Sequence, residues 1–350
     1  MTTIRVLATA LLLTGALSPG LRAHPPSPDR LNFVFLESGQ RQLFLDDFIL
    51  GNLYRVERRI HQPTKHGPPL VQADHPWEKA KGPPWAPNST TELIELWSPP
   101  SWDPEEKVWK IWYSASEHRT AFARSADGIH WEKPELDKRD FQGSRQNNLV
   151  AVHGEPEAYI QHALLDPDAS PEFRYKGLTG YRDRRPLVSS DGYEFSLLEV
   201  PPIPSQDQSA LIYDTVEKLF IATVKHRGPF GRSVYLSLSK DFRKWSPPEL
   251  IFHADALDQS LGEARVRDHL TNPRLRTLTV NVPEQYNTEI YSMPVFPYEG
   301  LYIGLPTYFE ASGQTPNRNQ EGVNSVKLSV SRDLRRWEKV GSRSFLHPCV

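Results

Sequence analysis

Several things are scarce in this chain of 350 residues, and each scarcity excludes something. There is a single cysteine, Cys349, so no intrachain disulfide can form and the fold must stand on its packed core. The formal net charge is only -2, which gives no electrostatic case for nucleic acid or an anionic membrane as partner. Past the first 23 residues no run is apolar enough to cross a bilayer. No Gly-rich phosphate loop and no nucleophile elbow is present. His61, His66 and His75 lack metal-ligand spacing, so neither a metal nor another cofactor is expected.

What is plentiful is turn formers and aromatics. The chain holds 32 Pro and 20 Gly beside 9 Trp, 13 Tyr and 15 Phe. Long helices tolerate that mixture badly, and short strands joined by many turns tolerate it well. An exposed aromatic ring also suits a sugar face, although most such rings in a β protein fill its core. Residues 1–23 read as a signal peptide: Arg5, an apolar stretch from Val6 to Leu13, and a cleavage site at Leu21-Arg22-Ala23, where Leu21 is large for its position. Export to the periplasm or the medium is the expectation, with residues 24–39 as a linker and 40–350 as one β domain.

A repeat organises that domain. Four segments share Ser-x-Asp-x-x-x-aromatic: Ser125 to Trp131, Ser189 to Phe195, Ser239 to Trp245 and Ser331 to Trp337. Each follows a β-like run such as Ser233 to Leu238, and a second strand signal such as Leu219 to Val224 lies upstream. A short Asp side chain closes such a turn onto backbone N–H groups, and the aromatic then opens the next strand. The unit is therefore about four antiparallel strands, the size of one propeller blade. Four copies are visible where a five-bladed ring needs five, so the expected fold is an all-β propeller of the five-bladed type with its fifth blade incomplete.

With those motifs in view, the sequence resembles the five-bladed propeller glycosidases, the group that includes glycoside hydrolase families 32 and 43. The turn from Ser125 to Glu132 is typical of them. Leu43 to Asp47, Trp131 to Leu136, Asn147 to Val150, Asp166-Pro167 and Glu289 to Met293 are similar to a set of exported bacterial proteins frequent in planctomycetes. The family 32 motif Trp-x-Asn-Asp-Pro-Asn is missing, which sets β-fructosidase activity aside. A sialidase-like hydrolase ranks lower, because the glycine and tryptophan of its Asp-box fall one residue later.

The resemblance implies hydrolysis of a poly- or oligosaccharide, which needs one carboxylic acid and one carboxylate. By analogy Glu289 is the general acid, Asp47 or Asp207 the base or nucleophile, and Asp166 the carboxylate that orients and tunes. Asp46, Trp85, Arg182 and Tyr291 are the candidate substrate-binding residues, and Arg182, Arg184 and Arg185 would suit an acidic or sulfated sugar. The rival expectation is a non-catalytic, carbohydrate-binding or partner-dependent propeller. Oligomeric state is not legible in the sequence.

Overall fold

The Ser-x-Asp motif builds the same turn four times. In the computed structural model Asp127 Oδ1 accepts the N–H groups of Ile129 and His130 at 2.8 Å, while the Gly128 N–H donates to Ser125 Oγ at 2.9 Å. Asp191 does the same for Tyr193 and Glu194, Asp241 for Arg243 and Lys244, and Asp333 for Arg335 and Arg336. One residue after the Asp, the chain takes a positive φ at Gly128, Gly192, Phe242 and Leu334. The indole N–H groups of Trp131 and Trp337 fold back onto the carbonyls of Gly128 and Leu334.

The model describes residues 34–345, apart from 35, 37, 40, 62, 65–66, 82–89, 93, 117–118, 156–157 and 342–344. The signal-peptide call and Trp85 lie outside the described residues. Within them the turns close four antiparallel blades in chain order. Blade one is Ser101–Asp103, extended back to Glu95 by a bridge to Ser114, then Val108–Ala115 and Arg119–Ser125. Thr90–Glu92 pairs with Lys79–Lys81 in a separate hairpin. Blade two is Ile160–Leu165, Tyr175–Thr179, Asp183–Ser189 and Glu194–Leu197. Blade three is Ser209–Asp214, Leu219–Gly228, Gly231–Ser239 and Glu249–Phe252. In blade four each long strand is broken in two: Asn287–Ser292 with Val295–Tyr298, Leu301–Gly304 with Thr307–Gln314, Gln320–Val326 with Ser329–Ser331, and last Trp337–Lys339.

The first strands of successive blades pack against one another, Ser101–Asp103 on Ile160–Leu165, that on Ser209–Asp214, and that on Val295–Tyr298. This radial order of inner strands makes the protein a β-propeller. It also explains why every residue of Ile160–Leu165 is buried. Ala163 and Leu165 face Trp112 and Phe122 of blade one, and Leu164 faces Leu211 and Phe220 of blade three. Between blades three and four, Ile221, Val234 and Leu236 meet Ile290, Met293 and Tyr308. On the outer face of blade four, Leu43, Leu45 and Ile60 cover Leu301 and Val330; on that of blade one, Val71 and Trp77 cover Ile111 and Tyr113.

One element departs from the all-β expectation. Ala256–Thr271 is an α-helix inserted between blades three and four, capped by Asp255, whose side chain accepts the Asp258 N–H. Its inward side is polar: Asp258 pairs with Lys327 at 3.1 Å, and Arg265 Nε donates to the buried Glu310 at 2.7 Å.

Candidate active site at the axial end

All four inner strands run the same way, so their starts gather at one end of the axis and their finishes at the other. The starts bring Glu95, Gln161, Asp207 and Glu289 together with the hairpins Gly180–Asp183 and Gly228–Gly231, because a strand-two to strand-three turn lies at the same end as the start of strand one. Asp207 forms an ion pair with Lys225, and its backbone carbonyl accepts Gln161 Nε2 at 2.7 Å. Glu289, whose side chain is 7% exposed, pairs with Arg232 and accepts Asn287 Nδ2 at 3.2 Å. Gly231 sits at φ 96° directly over that carboxylate, and a Cβ there would collide with it. Glu95 is exposed, with no side-chain hydrogen-bond partner among the described residues.

Aromatics line the same opening. Tyr291 lies beneath Lys225 Nζ, 4.0 Å from the ring centre, and beneath the Arg232 guanidinium at 5.2 Å. Burial pushes the Tyr291 phenol up, and the carboxylates of Asp207 and Glu95 push the same way against Arg232. Tyr181, on the tip of its hairpin, is 63% exposed. Beneath the opening His162 Nε2 and Ser209 Oγ are 2.7 Å apart, with Arg184 Nε donating to the same hydroxyl at 2.6 Å. Burial, followed by the charge of Arg184, lowers the His162 pKa to about 3. The imidazole is therefore neutral and a poor proton acceptor, so this Ser–His contact is a brace and not a nucleophile pair.

The structure brings Asp207, Glu289, Tyr291 and Arg182 to this end and leaves the other candidates elsewhere. Asp166 closes the inner strand of blade two at its far end, about 16 Å from Gln161 at strand rise. There it pairs with Lys176 at 3.2 Å and opens a turn by accepting the Asp168 N–H. Asp103 and Asp214 stand at the same place in blades one and three and open the same turn. Asp46 and Asp47 lie in turns against the outermost strand of blade four, where Asp46 is buried against Arg332 at 2.7 Å and Asp47 is exposed beside Arg58. The residues not singled out from the sequence are Glu95, Tyr181, Lys225 and Arg232. Glu95 and Tyr181 had a positional signal, at the start of a first strand and in a second turn of the repeat, whereas Lys225 and Arg232 depend on the register between strands.

No protein-family profile and no curated protein matches the chain. Solved structures do. An N-acetylgalactosamine deacetylase from F. plautii, in complex with blood group B trisaccharide, is 14% identical over 73% of this chain and 70% of its own, with a TM-score of 0.44. A family 32 β-fructofuranosidase of Bombyx mori is 11% identical over 70% of this chain, TM-score 0.40, and the chain spans only 48% of its length. A family 117 glycoside hydrolase of Zobellia galactanivorans is 10% identical over 71% and 69%, TM-score 0.38. These likenesses are loose, and the propeller assignment rests on the blade order above.

Proposed function

We propose that the protein is an exported carbohydrate-active propeller that hydrolyses a glycosidic bond of a poly- or oligosaccharide at the axial end. The observation that carries this reading is the convergence of one carboxylate each from blades one, three and four, Glu95, Asp207 and Glu289, on an opening edged by Tyr181 and Tyr291. Hydrolysis needs a proton on the leaving oxygen and a carboxylate to attack the anomeric carbon or take a proton from the attacking water. Glu95, exposed and unbonded, suits proton donation. Asp207, held beside the Lys225 ammonium, suits base or nucleophile. Glu289, engaged by Arg232 and Asn287, orients its neighbours. The apolar leader in residues 1–23 supports the exported location.

The test is release of reducing ends from a polysaccharide panel, with Glu95→Gln and Asp207→Asn beside the parent. Each variant should lose at least about a hundredfold in rate with its folding intact; unchanged turnover in either overturns its role. A second reading has its own support. Two of the three carboxylates are tied in ion pairs, which favours a site that holds a sugar without cutting it. Binding to the panel with no release of reducing ends decides for that reading.

A further inference from the structure

Opposed residues on paired strands share a face, as do residues two apart along a strand. By the register of blade three, Lys225, Arg227 and Arg232 therefore lie on one face, the side that meets Glu289 and Tyr291 of blade four. Lys225 is 2% exposed, and its ammonium is paired with Asp207 and lies over the Tyr291 ring. Arg184 is wholly buried, and among the described residues its guanidinium donates to the carbonyls of Gly180, Tyr181, Asp183 and Gln206 and to the Ser209 hydroxyl, with no carboxylate in hydrogen-bond contact. A buried cation with no carboxylate in contact is costly, and its retention points to an anion that arrives with a ligand. Arg227 and Arg182 stand exposed at the two hairpins, with no side-chain partner among the described residues. Four carboxylates share this end: Asp207 and Glu289 offset Lys225 and Arg232, while Glu95 and Asp183 are exposed and screened by solvent.

We propose that the axial opening is selective for an anionic sugar, a uronate or a sulfated residue, held by the Lys225–Arg227–Arg232 face above the buried charge of Arg184. This deepens the carbohydrate reading of the same site, but it concerns binding and does not require cleavage.

The experiment is affinity measurement by calorimetry with three polymers: polygalacturonate, a sulfated galactan and a neutral galactan. At least one anionic polymer should bind, and raising NaCl from about 0.05 to about 0.5 M should weaken it at least about tenfold. A response to the first alone identifies a carboxylate ligand, and to the second alone a sulfate. Arg227→Ala, at an exposed position, and Lys225→Met should each weaken binding about tenfold. Should Lys225→Met fail to fold, the exposed Arg227→Ala still decides. Equal binding of the neutral galactan, no binding of either anionic polymer, or unchanged affinity in Arg227→Ala overturns the proposal. Anionic binding without reducing-end release would sink the hydrolytic reading alone; release from a neutral polymer without anionic binding would sink this one alone.

Discussion

The two ends of the inner strands teach opposite lessons. At the far end the same thing happens in blade after blade: Asp103, Asp166 and Asp214 each close the first strand and cap the following turn. Each of these turns also reaches a tyrosine of the next blade, Asp103 approaching the Tyr175 hydroxyl at 3.4 Å, Asp168 that of Tyr213 at 2.9 Å and Asp214 that of Tyr302 at 2.8 Å. At the axial end the corresponding positions differ: Glu95, Gln161, Asp207, Glu289. Repetition marks the device that joins blades, and divergence marks the place where the ring addresses a ligand. An acid at a repeated position is architecture.

The comparison breaks most easily at Asp103. It is fully buried with Lys110, 2.9 Å away and 1% exposed, and it also holds Arg174 and two backbone N–H groups. Asp103→Ala leaves the buried Lys110 ammonium with Glu106 as its remaining carboxylate and frees two backbone N–H groups, so it should cost about 2–4 kcal/mol in a denaturant titration. A loss below about 1 kcal/mol would show that the repeated aspartates are dispensable. A smaller effect follows from acidification. Burial alone would raise the Asp333 carboxyl, but the N–H groups of Arg336 and Arg335 bring it down to about 2 from 3.8, and Asp127 is likewise held low by His130 and its backbone N–H bonds. A depressed carboxylate stabilises the fold above its unfolded pKa, and that stability is lost as pH falls through the folded value. Thermal stability should therefore drop between about pH 4 and 2. His162 adds a second slope higher up and over a wider interval: with a folded pKa of about 3 against 6.5 unfolded, it favours unfolding as pH falls across that interval, and His162→Gln should flatten it.

The blades were legible in the sequence because the Ser-x-Asp turn is local chemistry, complete within seven residues. The site was less so, because a carboxylate near a strand does not say which end of that strand it marks. Asp166-Pro167, given a site role by the resemblance, forms the closing turn seen again at Asp103-Pro104. Lys225 and Arg232 gave no signal, since their meaning comes from a register between strands and from Tyr291, more than fifty residues away in the chain. The helix Ala256–Thr271 escaped for a different reason. It buries only Asp258, Gly262 and Val266, so it carries no full apolar stripe and is held by its cap, by ion pairs to blade four and by the contact of Val266 and Leu270 with Leu278 and Val323.

One strand of blade three carries both lessons, with Asp207 just ahead of its start and Asp214 at its finish. Asp207→Asn and Asp214→Asn, compared for reducing-end release and for unfolding midpoint, test the account most directly. Asp207→Asn should abolish release from protein that still folds, although losing the carboxylate beside the buried Lys225 ammonium lowers stability by about 1–3 kcal/mol, whereas Asp214→Asn should lower stability by a similar amount and keep release in the folded protein. Full release from Asp207→Asn, or lost release from a still-folded Asp214→Asn, would place the working end of the propeller elsewhere.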